Sequence, residues 1–244
     1  MANCIRRNIP NTLTSCNLLC GCVATVFALQ CEYTLAFLFI ILGNVFDFFD
    51  GFSARLLKVS SPVGKELDSL ADVITSGIAP SAMLYSFLES MRELSATSIP
   101  CIFLQVIPFS AFLIAVFSGL RLAKFNLDTR QTTSFIGLPT PANALLWASA
   151  IVAYADCAKT PSLVLTIGIL LGIVLSCYLL VAEIPMFALK FKHFGWKGNE
   201  LRYVFIIASA LLLLIFHLAG FAAIIILYII LSVSSNIFNK HSKD

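Results

Sequence analysis

Long uncharged runs, broken at intervals by short polar clusters, dominate the chain from end to end. Eight apolar stretches stand out: 12–30, 33–46 running on into a polar cluster, 73–88, 95–120, 136–155, 160–182, 203–218 and 220–238. Each approaches or exceeds the length of about 20 residues that a helix needs to cross a bilayer. The last two are separated only by His217–Phe221, which predicts a tight antiparallel pair. The pattern predicts an all-α, polytopic membrane bundle of about eight transmembrane helices, and an even count puts both termini on one side.

Composition agrees. Of 244 residues, 59% are apolar and 12% charged, with 21 Phe and a mean hydropathy of +0.93. Soluble domains run nearer 45–50% apolar and about 25% charged. The basic start, Met1–Asn11, is followed by no A-x-A site after the first apolar run, so no cleavable signal is expected. The whole chain reads as a single membrane domain.

Charge then sets orientation. Arg6, Arg7, Arg55, Lys58, Lys65, Arg121, Lys124, Arg130, Lys190, Lys192, Lys197, Arg202, Lys240 and Lys243 fall on one side of the alternation. Those are 14 of the 16 basic residues, against Arg92 and Lys159 on the other side. Basic loops stay in the cytoplasm, so both termini are expected there. This one-sided charge suits anionic lipid head groups, and no nucleic-acid partner is expected. Eight scattered cysteines, including Cys16, Cys20 and Cys22, read as small apolar side chains.

The polar cluster carries the chemistry. Asp47, Asp50, Gly51, Ala54, Arg55, Gly64, Asp68 and Asp72 lie where one apolar run ends and the next begins. A single charge at the centre of a bilayer costs about 2.5–3.5 kcal/mol on insertion scales, so four carboxylates in one hairpin demand neutralising partners. Asp47 and Asp50 are three apart and Asp68 and Asp72 four apart, so each pair shares a helix face. Ser61-Pro62 reads as an N-cap followed by proline at the first helical position. Two antiparallel helices would bring the acidic faces together. Carboxylate oxygens favour hard cations such as Mg²⁺, Mn²⁺ or Ca²⁺, and a pair of ions would suit displacement at phosphorus. Gly51, Gly64 and Ala54 keep one wall low enough for a base or phosphate to approach. Arg55, two turns after Asp47, is placed to counter a phosphate or an acid. The competing reading is an ion-coupled transporter with a midmembrane acidic site. It leaves the glycines and the alanine without a purpose.

The string from Asp47 to Asp72 resembles the signature of the CDP-alcohol phosphatidyltransferases at every position. The resemblance implies displacement of CMP from a CDP-linked lipid by an alcohol. It also implies two Mg²⁺ or Mn²⁺ ions held by Asp47, Asp50, Asp68 and Asp72, with Asp72 doubling as base for the acceptor hydroxyl. Gly51, Ala54, Arg55 and Gly64 would line the cytidine diphosphate pocket. Further segments resemble the members of that family that use L-serine as acceptor. They are Ile9-Pro10-Asn11-x2-Thr14, Asp68–Asp72 with Ser76–Pro80, Arg121–Asn126, and Phe135–Ala142. Lys124 departs from the usual arginine.

CDP-diacylglycerol and L-serine are thus the implied substrates, with glycerol 3-phosphate or inositol phosphate as the alternative acceptors. Asn11 and Thr14 are expected at a helix start, where free N–H groups favour anions. Arg121, Lys124, Asn126 and Thr140 are expected on the acceptor side, with Thr140 capping its helix ahead of Pro141. The family likeness also implies a homodimer in the plasma (inner) membrane with its site facing the cytoplasm. The catalytic core would span about 9–190. A C-terminal helix pair at about 200–238 carries no chemistry of its own.

Overall fold

A computed structural model describes residues 2–59, 61–94, 105–127, 135–156, 163–187, 195–196 and 199–241. Several basic residues of the charge pattern, among them Arg130, Lys159, Lys190 and Lys192, lie outside these segments, as does the start of the expected 95–120 run.

Helices α1 (Ala2–Leu29) and α2 (Tyr33–Leu57) form an antiparallel hairpin. The stop between them contains no glycine. Cys31 takes the left-handed conformation (φ 61°), and the Glu32 N–H reaches back to the Phe27 carbonyl at 3.0 Å. That bond ties off one of the carbonyls the helix end would otherwise leave open. Helix α2 ends the same way, with Lys58 at φ 52° and the Val59 N–H bonded to the Ala54 carbonyl.

Helix α3 (Pro62–Asp72) starts as the sequence predicts. Ser61 is its N-cap, with Oγ accepting from the Gly64 N–H at 3.3 Å, and Pro62 opens the helix. Between α3 and α4 (Ala79–Leu94) the rod widens into a π-helical turn, Val73–Ile78. The widening has a local cause. Pro80 has no N–H to give, and in an α-helix its ring would press on the carbonyl four residues back. The wider turn relieves both problems at once.

The π-turn also packs closely against α1 and α2. Thr75 is fully buried and donates to the Asn17 carbonyl at 3.0 Å. A Cβ on Gly21 would lie 2.8 Å from the Thr75 backbone, and one on Gly43 would lie 2.6 Å from the Thr75 methyl. Small residues thus permit the close approach by which helices associate when lipid removes the hydrophobic drive.

A 3₁₀ turn (Ile107–Ala111) leads into α5 (Phe112–Leu127). Helix α6 (Thr140–Asp156) follows β1 (Phe135–Ile136), and α7 (Leu163–Val181) precedes β2 (Pro185–Met186). The two short strands pair antiparallel, Phe135 with Met186 and Ile136 with Pro185. Gly137 (φ 74°) follows, and a Cβ there would lie 2.9 Å from the Leu180 carbonyl oxygen. Its N–H donates to Ile184 at 2.9 Å. This clasp fixes the entry to α6.

Helices α8 (Glu200–Phe216) and α9 (Gly220–His241) form the expected C-terminal pair, joined by a 3₁₀ turn at His217–Ala219. Leu138, Leu179, Met186, Phe205, Ile224, Ile225 and Tyr228 form a core of their own between that pair and the clasp. A larger core, built around Phe37, Ile40, Met83, Leu84 and Ile114, joins α1, α2, α4 and α5.

Among the described residues, five helical stretches are long and apolar enough to cross a membrane: Asn8–Leu29, Tyr33–Leu57, Ile107–Leu127, Leu163–Val181 and Glu200–Asn236. The fifth joins α8 and α9. Helices α4 and α6, at 16 and 17 residues, fall short by length. Large apolar side chains such as Phe48, Leu56, Val164 and Leu214 face outward along the rods, as a bilayer solvent permits.

Candidate active site

The acidic hairpin closes as the spacing predicts. Asp47 and Asp50 project from α2 and Asp68 from α3, and one carboxylate oxygen of each lies within 4.8 Å of the others. Three carboxylates at that range repel unless a cation sits among them. Asp68 Oδ1 is buried with no hydrogen-bond partner among the described residues, so the donor set fits a divalent ion bound through oxygen. Asp72, one turn beyond Asp68, lies outside this trio but within electrostatic range of Asp47, Asp50 and Asp68. It is 9% exposed, and its Oδ1 accepts from Asn17 Nδ2 at 3.3 Å.

Helix α1 props both acidic faces. Thr14 Oγ1 donates to Asp50 Oδ2 at 2.6 Å, and Asn17, three residues on, holds Asp72. Thr14 and Asn11 therefore do not sit at a helix start. Helix α1 begins at Ala2 and runs through Pro10, which leaves both residues two to three turns inside it with their N–H groups committed. The expectation of an anion site at free N–H groups is corrected. Their side chains do the work instead. Asn17 was missed by sequence reasoning, although a polar residue three places after Thr14 in an apolar helix was a usable signal.

A cavity of about 260 Å³ opens beside the aspartates. Asn11, Thr14, Asp50, Gly51, Ala54, Gly64 and Asp68 line it, which gathers most of the residues expected around the diphosphate. The two glycines differ. A Cβ at Gly51 would meet nothing within 4 Å, so the protein's own packing does not require glycine there. A Cβ at Gly64 would fall 2.7 Å from Asn11 Oδ1, so that glycine lets α3 approach α1. Arg55 does not line the cavity. It is exposed, and its Nε donates to the Gly51 carbonyl one turn back at 3.0 Å. Among the described residues the cation that does line the cavity is Lys65, which sequence reasoning used only for orientation.

The expected acceptor residues separate on inspection. Arg121 is buried (8% exposed), lies within electrostatic range of Asp72 and stands 5.7 Å from the centre of the Phe125 ring. Lys124 is exposed. Asn126 fastens α5 to α3: its Nδ2 donates to Ser69 Oγ at 2.8 Å, and its carbonyl accepts from Lys65 Nζ at 3.4 Å. Thr140 does not cap α6. It is the first helical residue, the Asn143 N–H bonds instead to the Pro139 carbonyl at 3.1 Å, and Thr140 Oγ1 is buried with no partner among the described residues.

An acidic trio beside a cavity in a helical membrane bundle fits a class of membrane enzyme that works through a divalent ion. The sequence model of the CDP-alcohol phosphatidyltransferase family matches residues 7–178, and the chain belongs to that family. It is similar to three proteins named CDP-diacylglycerol–serine O-phosphatidyltransferase. The Bacillus subtilis protein is 38% identical over 137 residues, which cover 54% of this chain and 69% of the relative. The Helicobacter pylori protein is 32% identical over 139 residues, covering 56% and 54%. The Methanocaldococcus jannaschii protein is 34% identical over 138 residues, covering 57% of each. The chain thus spans little more than half the length of the last two.

Proposed function

We propose that the protein transfers the phosphatidyl group of CDP-diacylglycerol to the hydroxyl of L-serine, giving phosphatidylserine and CMP. The observation that carries this reading is the meeting of Asp47, Asp50 and Asp68, the last two lining a cavity walled also by Gly51, Ala54, Gly64, Asn11 and Thr14. The names of the similar proteins favour serine.

Two divalent ions, Mg²⁺ or Mn²⁺, would be held by Asp47, Asp50 and Asp68 with Asp72 at the edge of the set. When bound they would neutralise the diphosphate and ease departure of CMP. The residues supply the rest. Thr14 fixes the Asp50 carboxylate. Gly51 and Ala54 leave room for the nucleotide, and Lys65 offers it a positive charge. Asn17 holds one oxygen of Asp72, leaving the other to take the proton from the serine hydroxyl. The serine Oγ–P bond forms as the bond from phosphorus to the CMP oxygen breaks, and the proton passes to Asp72. Arg121, close to Asp72 in charge terms, would face the serine carboxylate.

The catalytic core would span about 9–190, in a homodimer crossing the plasma membrane eight times per subunit with the site open to the cytoplasm. CMP release from CDP-diacylglycerol, with Mn²⁺ or Mg²⁺ and one acceptor at a time, tests the reaction. Release with serine alone is expected. Release with glycerol 3-phosphate or inositol phosphate instead would keep the family reaction and replace the acceptor. No release with any of them would favour a transporter.

A further inference from the structure

Polar groups along α6 fall into two sets. Deeper in the helix they are satisfied: Trp147 Nε1 donates to Ser176 Oγ at 2.9 Å, and Ser149 Oγ donates to the Leu145 carbonyl at 2.6 Å. At the first turn they are not. Asn143 is fully buried, and neither its Oδ1 nor its Nδ2 has a partner among the described residues. Thr140, three residues earlier on the same face, is equally buried and its Oγ1 equally unpartnered. Buried amides are nearly always hydrogen-bonded, so one without a partner among the described residues, on a helix that packs against the turn after Asp72, calls for a reason.

Helix α5 repeats the pattern. Ser118 and Arg121 are three apart and buried, and Ser118 Oγ and Arg121 Nε have no partner among the described residues. Both helices pack against the π-turn that follows Asp72. A Cβ on Gly77 of that turn would sit 3.4 Å from the Ser118 Cβ. Four unsatisfied polar side chains thus lie on the two helices that pack against the turn next to the candidate base. One is cationic and the other three carry oxygens able to accept. That set is wrong for a phosphate-bearing acceptor, which would call for several cations. It suits an α-amino acid, whose carboxylate needs a cation and whose ammonium group needs oxygen acceptors.

We propose that Asn143, through its amide oxygen and with Thr140 beside it, binds the ammonium group of the acceptor and so separates an amino acid from other hydroxy acids. This rests on the serine reading above and assigns its amino-group subsite.

The test is Asn143→Leu, which keeps the volume and removes the hydrogen bonds. CMP release is followed with L-serine as acceptor. 3-Hydroxypropanoate, which is serine without the amino group, serves as alternative acceptor or competitive inhibitor. The expected result is a KM for serine raised about 10- to 100-fold, as for loss of a hydrogen bond to a charged group. The constant for 3-hydroxypropanoate and the KM for CDP-diacylglycerol should stay unchanged. Equal losses for both acceptors, or an unchanged serine KM, would overturn the assignment. If the leucine variant does not fold, Asn143→Ser, which keeps an oxygen on a shorter side chain, must raise the serine KM above wild type and leave the constant for 3-hydroxypropanoate in place; an unchanged serine KM would overturn the assignment. A wild-type enzyme that ignores serine but uses glycerol 3-phosphate would overturn the serine reading itself, independently of any variant, and this assignment with it.

Discussion

At the scale of single residues, the four aspartates divide by their partners. Asp47, Asp50 and Asp68 face one another, whereas Asp72, which also feels the charges of Asp68 and Asp50, is the one that accepts from Asn17 and feels the charge of Arg121. Removing one carboxylate charge should therefore have different consequences at the two places. Asp72→Asn should lower turnover by roughly 10²- to 10⁴-fold, the usual contribution of a positioned general base, while largely sparing CDP-diacylglycerol binding. Asp47→Asn should weaken both, because it takes one of three oxygen donors from the ion. Steady-state CMP release and CDP-lipid binding in detergent, measured side by side, check the pair. Near-native turnover of Asp72→Asn would remove it from the role of base. The aspartates were legible in the sequence because their spacing, three and then four, fits helix faces whatever the tertiary detail. Asn17 and Lys65 were not, because their significance arises only when α1 and α3 meet, as Asn17 and Asp72 do across 55 residues of chain. Arg55 shows the converse: its helix face was right, but its guanidinium turns back to its own backbone.

At the scale of elements, hydrophobic runs located the rods well and their ends poorly. The start of α1 was placed too late, since Pro10 reads as a beginning yet lies inside the helix. The π-turn was invisible to a periodicity argument, which tracks 3.6 residues per turn and cannot register one wider turn. The caps at Cys31 and Lys58 were likewise hidden, because neither residue is a usual left-handed stop. The π-turn matters because it presents Thr75 to α1 and α2 at a separation only glycine allows. Gly21→Ala would put a methyl 2.8 Å from the Thr75 backbone. Backbone cannot rotate aside as a side chain can, so overpacking here should cost about 1–3 kcal/mol. The expected outcome is a lowered thermal transition in detergent, with loss of activity in parallel, since the displaced helix carries Thr14 and Asn17. Gly168→Ala, where a Cβ would meet nothing within 4 Å, should leave the transition in place. Equal transitions for the two variants would show that the three-helix contact is looser than drawn.

At the scale of the whole molecule, the C-terminal pair packs on the clasp of β1 and β2. Tyr228 of α9 donates to the Phe187 carbonyl at 3.1 Å and lies within electrostatic range of Arg121. The pair that carried no recognisable motif thus backs the cation nearest the candidate base. Orientation follows from charge. With 14 of 16 basic residues on one side of the alternation, the motif, both termini and the mouth of the cavity should share the cytoplasm, where CMP could leave and a polar acceptor enter. An even number of crossings is required for that arrangement, and eight is the number the apolar runs give. A reporter active only in the cytoplasm should be active when fused after Asp244, and silent when inserted at Lys159, which belongs to the sparse side. Activity at both places would mean an odd error in the count between them, where α7, α8 and α9 lie, and the α8–α9 pair, joined only by a three-residue turn, would be the first to reassign.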